Sequence, residues 1–550
     1  MATRARLLAL FALLVAGAVV AGERPMTAVA PAGMPDAAEL EQRQARIGRI
    51  DVHVQNIFDP ADPREDLALY RAANRLHYST REATVRGQLL FASGELFRAQ
   101  PVAETERILR TRRYLNDAWV VPIAYDSGSN VVDIAVTVRD VWTLNPGLSL
   151  GRAGGRNHSK VQLEDANLFG TGSHLSLSRS KDVDRTSTVV SYADSNVLGS
   201  WWQVGADYAD NSDGRGRSLA LARPFYALDT RHAFGASARD GANLVQLWTG
   251  GRQLDEFQQL QHTSQVYYGI SAGLDAGVTT RWLAGLRYDA SRFTAVPNAP
   301  GSLALPADRR FAYPWLGWQR IEDQWQKGEN VDLIGRTEDL YFGRSVYAEL
   351  GASGRSEGLR GAALFVHVAA TDAWSLGARR QLYTAATLDG RVDGGVADNV
   401  RLVASARYFE AVSDNQTFYA ALAATATHNL DGDRQVLLGG DTGLRGYPLR
   451  FQGGTSSALV TLEHRVFTPW YPFRLVRVGA AVFFDAGRTW GRDYAGAVPL
   501  GTLKDVGAGL RLGNNRSGLG NVLHVDLSYA IDAPPGTKRL QVTVETKNRF

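Results

Sequence analysis

The chain has 550 residues, 45% of them hydrophobic and 21% charged, and its 60 basic and 56 acidic side chains leave a formal net charge of +4. That near-balance, without a basic stripe interleaved with aromatics, argues against nucleic acid as a partner. The absence of cysteine excludes a disulfide framework, thiolate zinc sites and thiol nucleophiles, whereas 56 Gly, 20 Tyr and 12 Trp suit the corners and interfacial girdles of a barrel.

In chain order, Arg4 and Arg6 precede an apolar run from Leu7 to Ala21 that closes on small residues, the layout of a secretory signal peptide over residues 1–21. Past Ala21 no uninterrupted apolar stretch approaches the ~20 residues of a membrane helix, so any later span is expected to be strand. Residues 22–46, rich in Ala, Pro, Met and Gln without a hydrophobic period, read as a flexible linker. Residues 47–141 read as a compact strand, helices, strand, strand module. Ile50, Val52 and Val54 alternate with polar residues as a strand does. Pro101 sits where a helix can begin, and Val102, Thr105, Ile108, Leu109 and Tyr114 share a face. Glu104 and Glu106 come early and Arg110, Arg112 and Arg113 late, as the helix dipole favours. Strands over residues 119–125 and 131–138 follow, separated by the turn cluster Asp126-Ser-Gly-Ser-Asn130.

From 142 to 550 the helical period disappears and short alternating segments run to the end between Gly, Asn, Asp and Pro. Ala480, Val482, Phe484 and Ala486 share one face, Phe483, Asp485 and Gly487 the other. Val506, Ala508, Leu510 and Leu512 oppose Asp505, Gly507, Gly509 and Arg511; Leu523, Val525, Leu527 and Tyr529 oppose His524, Asp526 and Ser528. The last segment alternates Leu540, Val542 and Val544 with polar residues and ends on Phe550. The fold class expected is mainly β, a transmembrane antiparallel β-barrel of about 16 strands; ~410 residues would give about 26 per strand, enough for short turns on one side and long loops on the other. A soluble sandwich or propeller also alternates, but a propeller would show a repeat, and none is found.

Other patterns carry less. Gly354-Arg-Ser356-Glu-Gly358 matches a nucleophile elbow without its strand-to-helix context. Asp207, Asp210, Asn211 and Asp213 lack the spacing of a calcium loop, and the ten histidines form no ligand pair. No enzyme, metal or cofactor is therefore expected. Trp201, Trp202, Trp315, Trp318 and Trp325 read as membrane-interface anchors.

Several of these segments together resemble the BamA/TamA and two-partner-secretion transporter superfamily. Gly439-Gly-Asp-Thr-Gly-Leu444-Arg445-Gly446-Tyr447 is similar to its lid loop, whose Arg-Gly-aromatic tip folds into the lumen. Phe483-Phe484-Asp485-Ala486-Gly487 is similar to its Phe-x-Asp-x-Gly strand motif, whose acidic residue receives the lid arginine. The resemblance thus implies an Arg445 to Asp485 pair, with Glu463 and Arg465 as supporting residues. Residues 47–141 look like one polypeptide-transport-associated (POTRA) domain, including Leu89-Leu-Phe-Ala-Ser-Gly-Glu95 and Val138-Arg-Asp-Val-Trp142-Thr-Leu. Asn167-Leu-Phe-Gly-Thr-Gly172 and Arg223-Pro-Phe-Tyr-Ala-Leu-Asp-Thr230 look like early barrel-strand motifs, and Phe550 like the C-terminal targeting signal. A single module departs from the five, three or two of the better-known members and leaves the client unassigned.

What the resemblance implies is an outer-membrane barrel of a Gram-negative cell with its N-terminal domain in the periplasm. Its partners would be membrane lipid, an unfolded or nascent outer-membrane or secreted polypeptide, and the barrel-assembly machinery for its own insertion. The module would bind the client by strand addition along residues 131–138, and the barrel would insert it into or translocate it across the membrane. The alternative is a passive pore or surface-structural barrel that handles no polypeptide.

Overall fold

The computed structural model describes residues 30–518, 521–547, 549 and 550; the expected signal peptide lies outside these. Within the stretch read as linker, helix α1 (Ala37–Gln42) forms under an Asp36 cap and buries Leu40. The module continues with β1 (Arg46–Gln55), α2 (Ala68–Leu76), α3 (Glu82–Arg86), α4 (Ala99–Arg110), β2 (Leu115–Asp126) and β3 (Val131–Asp140). Val132, Ile134, Val136 and Val138, alternating along β3, all point into one core with Leu109 of α4, Leu40, Val85 and Phe97. That burial places β3 centrally: it pairs parallel with β1 and antiparallel with β2. Residues 131–138 therefore have no free edge for strand addition, and the open edges are those of β1 and β2.

The chain then enters a run of short strands, β4 (Leu144–Ala153), β5 (Arg156–Asp165), β6 (His174–Lys181), β7 (Thr186–Asp194), β8 (Gln203–Asn211) and β9 (Gly214–Arg223). Longer ones follow: β10 (His232–Thr249), β11 (Arg252–Asp275), β12 (Val278–Ala295) and β13 (Arg309–Glu322). A small hairpin, β14 (Trp325–Glu329) and β15 (Thr337–Tyr341), precedes β16 (Ser345–Ser353), β17 (Ala363–Ser375), β18 (Arg380–Asp393), β19 (Val396–Ser413) and β20 (Gln416–His428). A second, β21 (Val436–Leu438) and β22 (Gln452–Gly454), precedes β23 (Ser456–Phe467), β24 (Val476–Trp490), β25 (Leu503–Asn514), β26 (Val522–Ala530) and β27 (Leu540–Lys547).

Setting the two small hairpins aside, β4 to β27 close into one antiparallel barrel of 20 strands, not the 16 expected. The strand count fails because alternation does not reveal how much chain a turn uses. Two-residue turns such as Gly250-Gly251 and Gly394-Gly395, both in the left-handed conformation that primed hairpin turns require, spend almost no chain between the strands they join. The ladders are long, except at closure. Where β26 with β27 forms eight residue pairs and β4 with β5 ten, β27 meets β4 through one, Val544 to Arg152.

One face of each wall is apolar and bare: Leu316 is 65% exposed, Leu350 60%, Val482 53% and Leu527 51%. The other carries buried charge, including Glu349, Arg391, Asp485 and Asp526. Among the described residues no helix is long and apolar enough to cross a membrane. Strand ladders instead run around a closed wall and pair most main-chain groups, which is what a lipid exterior demands, with the β27–β4 closure the exception. Of the five tryptophans read as interface anchors, Trp201 and Trp315 are buried and Trp325 lies on the β14–β15 hairpin, outside the barrel wall.

The module sits against the mouth from which β4 departs. The two early motifs form its seat: Asn167 Nδ2 donates to Thr80 Oγ1 at 2.8 Å, and the Leu228 amide donates to Glu104 at 2.9 Å. Gly170 must be glycine, since a Cβ there would lie 2.4 Å from the Ser79 carbonyl. At the hinge, Glu65 is buried between Arg139, at 2.9 Å, and Arg516.

A charge on the bare face tests the lipid assignment. Val482→Arg, midway along β24, should cost about 2 to 4 kcal/mol of folding stability in vesicles, the cost of arginine near a bilayer midplane; a urea titration giving wild-type stability would contradict it.

Candidate functional site

The connection of residues 429–455, between β20 and β23, is the longest at the far mouth, and it turns back into the barrel. The β21–β22 pair closes its base. Its rim is tied across the opening by ion pairs of Asp431 with Arg391 of β18, at 2.7 Å, and Asp433 with Arg309 of β13, at 2.9 Å. On the other flank Arg450 pairs with Asp184 at 2.7 Å, and the Leu449 amide donates to the Gly154 carbonyl at 3.0 Å.

At the tip, residues 444–447 are packed rather than solvated. Leu444 and Tyr447 are fully buried with Leu438, Phe451, Leu503 and Ala530. The Tyr447 hydroxyl donates to the Lys504 carbonyl at 3.0 Å. Gly446 lies so close to β25 and β26 that a Cβ would stand 2.6 Å from that of Asp505 and 3.0 Å from the Ala530 amide nitrogen. Gly487 likewise leaves room for the loop, because a Cβ there would meet Leu438 at 2.8 Å.

The guanidinium of Arg445 is aimed down into the wall. Nε and Nη2 donate to the two oxygens of Asp485 at 2.7 and 2.9 Å, the planar fork matching the carboxylate. Nη1 donates to Glu463 at 2.9 Å and lies 3.6 Å from Asp526. Its plane covers Phe483, with Cζ 3.3 Å from the ring centroid, a cation–π contact in a water-poor site. Thr461 donates a further hydrogen bond to Asp485 at 2.7 Å. The other oxygen of Glu463 takes Arg465 Nε at 2.9 Å, and Arg465 lies 3.8 Å over Tyr419 and 4.9 Å over Phe550.

Thus Arg445, Asp485, Phe483, Glu463 and Arg465 come together in one buried cluster, and Phe550 closes it from the module side, packed on Phe467 with centroids 4.8 Å apart. Three further charged residues were not singled out from sequence. Asp526 and Arg511 form a buried pair at 2.5 Å, and Asp505 faces Asp485 directly across the ladder. Their signal was present: each falls on the charged face of an alternating strand.

A closed antiparallel barrel with an apolar exterior, a charged lumen and a loop folded into it defines a transmembrane β-barrel. No protein-family model matches the chain, and no characterised protein matches it in sequence. Among solved structures it is similar to CdiB from Escherichia coli, at 13% identity and TM-score 0.46 over 92% of this chain and 76% of that one. It is also similar to CdiB from Acinetobacter baumannii (13%, 0.42, 92% and 74%) and to BamA from Haemophilus ducreyi lacking POTRA domains 1–3 (13%, 0.37, 91% and 84%). Likenesses this distant leave function to be argued from the barrel's own residues.

Removing one partner of a desolvated pair costs about 3 to 5 kcal/mol, because the other charge stays buried. Arg445→Ala, with Asp485 and Glu463 left facing one another, should lower the heating temperature at which the folded barrel loses its fast gel migration, and Arg445→Lys should recover only part. Asp485→Ala combined with Arg445→Ala should be less than additive; additive losses would show that the two side chains do not act as a pair. Gly446→Val should displace the tip and expose residues 439–451 to protease, and a protected loop would refute that packing.

Proposed function

We propose that this chain is a Gram-negative outer-membrane barrel that receives an unfolded or nascent outer-membrane or secreted polypeptide on a periplasmic, POTRA-like module and inserts it into, or passes it across, that membrane. The observation that carries this reading is the seam, where β27 meets β4 through the single pair Val544 to Arg152. An edge so lightly closed separates at small cost and offers unpaired main-chain groups to an incoming strand. The Arg445 cluster supports the reading from the other side: it ties β23, β24 and β26 together, so the wall beside the seam stays rigid while the seam yields.

The module contributes a second edge. The first residues of β2 are occupied, with Leu115 and Asp117 accepting from Arg336 and Thr337, whereas residues 121–126 continue as the sheet's outer strand and can pair with an extended client. In this reading Phe550 is recognised by the barrel-assembly machinery before the chain folds, since it is buried afterwards. A passive pore would need an open lumen, and chain crosses this one at both mouths.

The chain has no cysteine, so a pair at Arg152 and Val544 gives a clean lock. Oxidation of Arg152→Cys/Val544→Cys should abolish delivery of the polypeptide captured by photocrosslinkers on residues 121–126, and reductant should restore it. Delivery that proceeds at the wild-type rate with the seam locked would rule the seam out.

A further inference from the structure

The β14–β15 hairpin projects from the module-side ends of β13 and β16, and its tip, residues 330–336, does not stay near that wall. It reaches β19, where Asp332 accepts from Arg407 at 2.7 Å, and β23, where Arg465 Nη1 donates to the Val331 carbonyl at 3.3 Å. Further round, Asn515, just past β25, donates to the Ile334 and Gly335 carbonyls at 3.1 and 2.8 Å. Ile334 is buried with Phe467, Ala481, Val522 and Phe550, and the Phe550 amide donates to the Asp332 carbonyl at 2.6 Å. In a wall of 20 strands, β25 and β26 stand seven to nine places from β13 and β16, so the tip spans the mouth nearly along a diameter.

Two features make this more than a stray loop. The tip is built to hold its shape: Glu338 accepts from the Val331 and Asp332 amides, both at 2.9 Å, and Asn330 accepts from the Gly335 amide at 2.8 Å. The stem is also clamped beneath the module, where Asp339 takes both ends of the Arg110 fork at 2.8 and 2.6 Å and Thr337 donates to Asp117 of β2 at 2.7 Å. A buried, preformed tip with ion-paired ends is stable when seated, and apart from the burial of Ile334 its wall contacts are hydrogen bonds that water can replace.

We propose that residues 330–336 are an internal plug for the module-side mouth, seated by Asp332 and Ile334 and latched to the far-side loop through Arg465 and Glu463. The latch is continuous: Arg445 to Glu463 to Arg465 to the Val331 carbonyl, each step a hydrogen bond of 3.3 Å or less. The plug requires no client and stands or falls independently of polypeptide transport.

The experiment is single-channel recording from the full chain in planar bilayers. Gly513 has an ordinary backbone, and a Cβ built on it lies 3.4 Å from that of Ile334, about the separation of a disulfide. Oxidised Ile334→Cys/Gly513→Cys should be silent, and reductant should return the brief openings of the wild type. Asp332→Asn, which weakens the seat at Arg407, should raise the opening frequency several-fold, and replacing residues 330–336 by two glycines should give a steady conductance limited by the far-side loop. Equal traces from the oxidised, reduced and tip-deleted forms, whether silent or conducting, would overturn the plug.

Discussion

A guanidinium deep inside a barrel wall has to be satisfied on every side, and that requirement at Arg445 organises the last third of the molecule. Asp485, Glu463 and Asp526 supply charge from three separate strands, Phe483 supplies a ring face, and Arg465 and Arg511 pair with Glu463 and Asp526 in turn. Such a cluster has low tolerance for partial occupancy, because each buried charge is expensive alone and acceptable only in company.

The same cluster joins the two ends of the lumen. Glu463 is shared, one oxygen facing the far-side loop and the other facing Arg465, which reaches the hairpin tip and the ring of Phe550. Displacing the loop takes Arg445 from Glu463, displacing the tip takes the Val331 carbonyl from Arg465, and Glu463 and Arg465 are themselves bonded. Against that sector the β27–β4 closure is the shortest ladder in the wall, a single residue pair.

Much of this was legible in residues. Period-two alternation placed Asp485, Asp505, Arg511 and Asp526 on the inner face, and the Arg-Gly-Tyr and Phe-x-Asp-x-Gly segments pointed to one contact that the geometry brings within 2.7 Å. Sheet order was not legible, since nothing local says that β3 lies between β1 and β2; the near-continuous Val and Ile of residues 131–138 were a hint of a strand buried on both sides. Strand number was lost because a two-residue turn and a long loop look alike in hydropathy. The β14–β15 hairpin escaped because its short tip, Asn-Val-Asp-Leu-Ile-Gly-Arg, mixes polar and apolar residues without a period and reads as an ordinary turn unless the opposite wall is known.

The tight turns also determine what the outside world can meet. At the far mouth, β4–β5, β8–β9, β10–β11 and β18–β19 are joined by two residues each, yet the wall is uneven there: residues 242–249 of β10 lie beyond its pairing with β9, so the β10–β11 hairpin projects past the β8–β9 turn. The longer connections, residues 296–308, 354–362, 491–502 and 531–539, gather around the loop that carries Arg445. A binder approaching that face would meet these segments and the projecting β10–β11 hairpin, and one that pulled on residues 429–455 would be drawing on a side chain bonded in the interior of the wall.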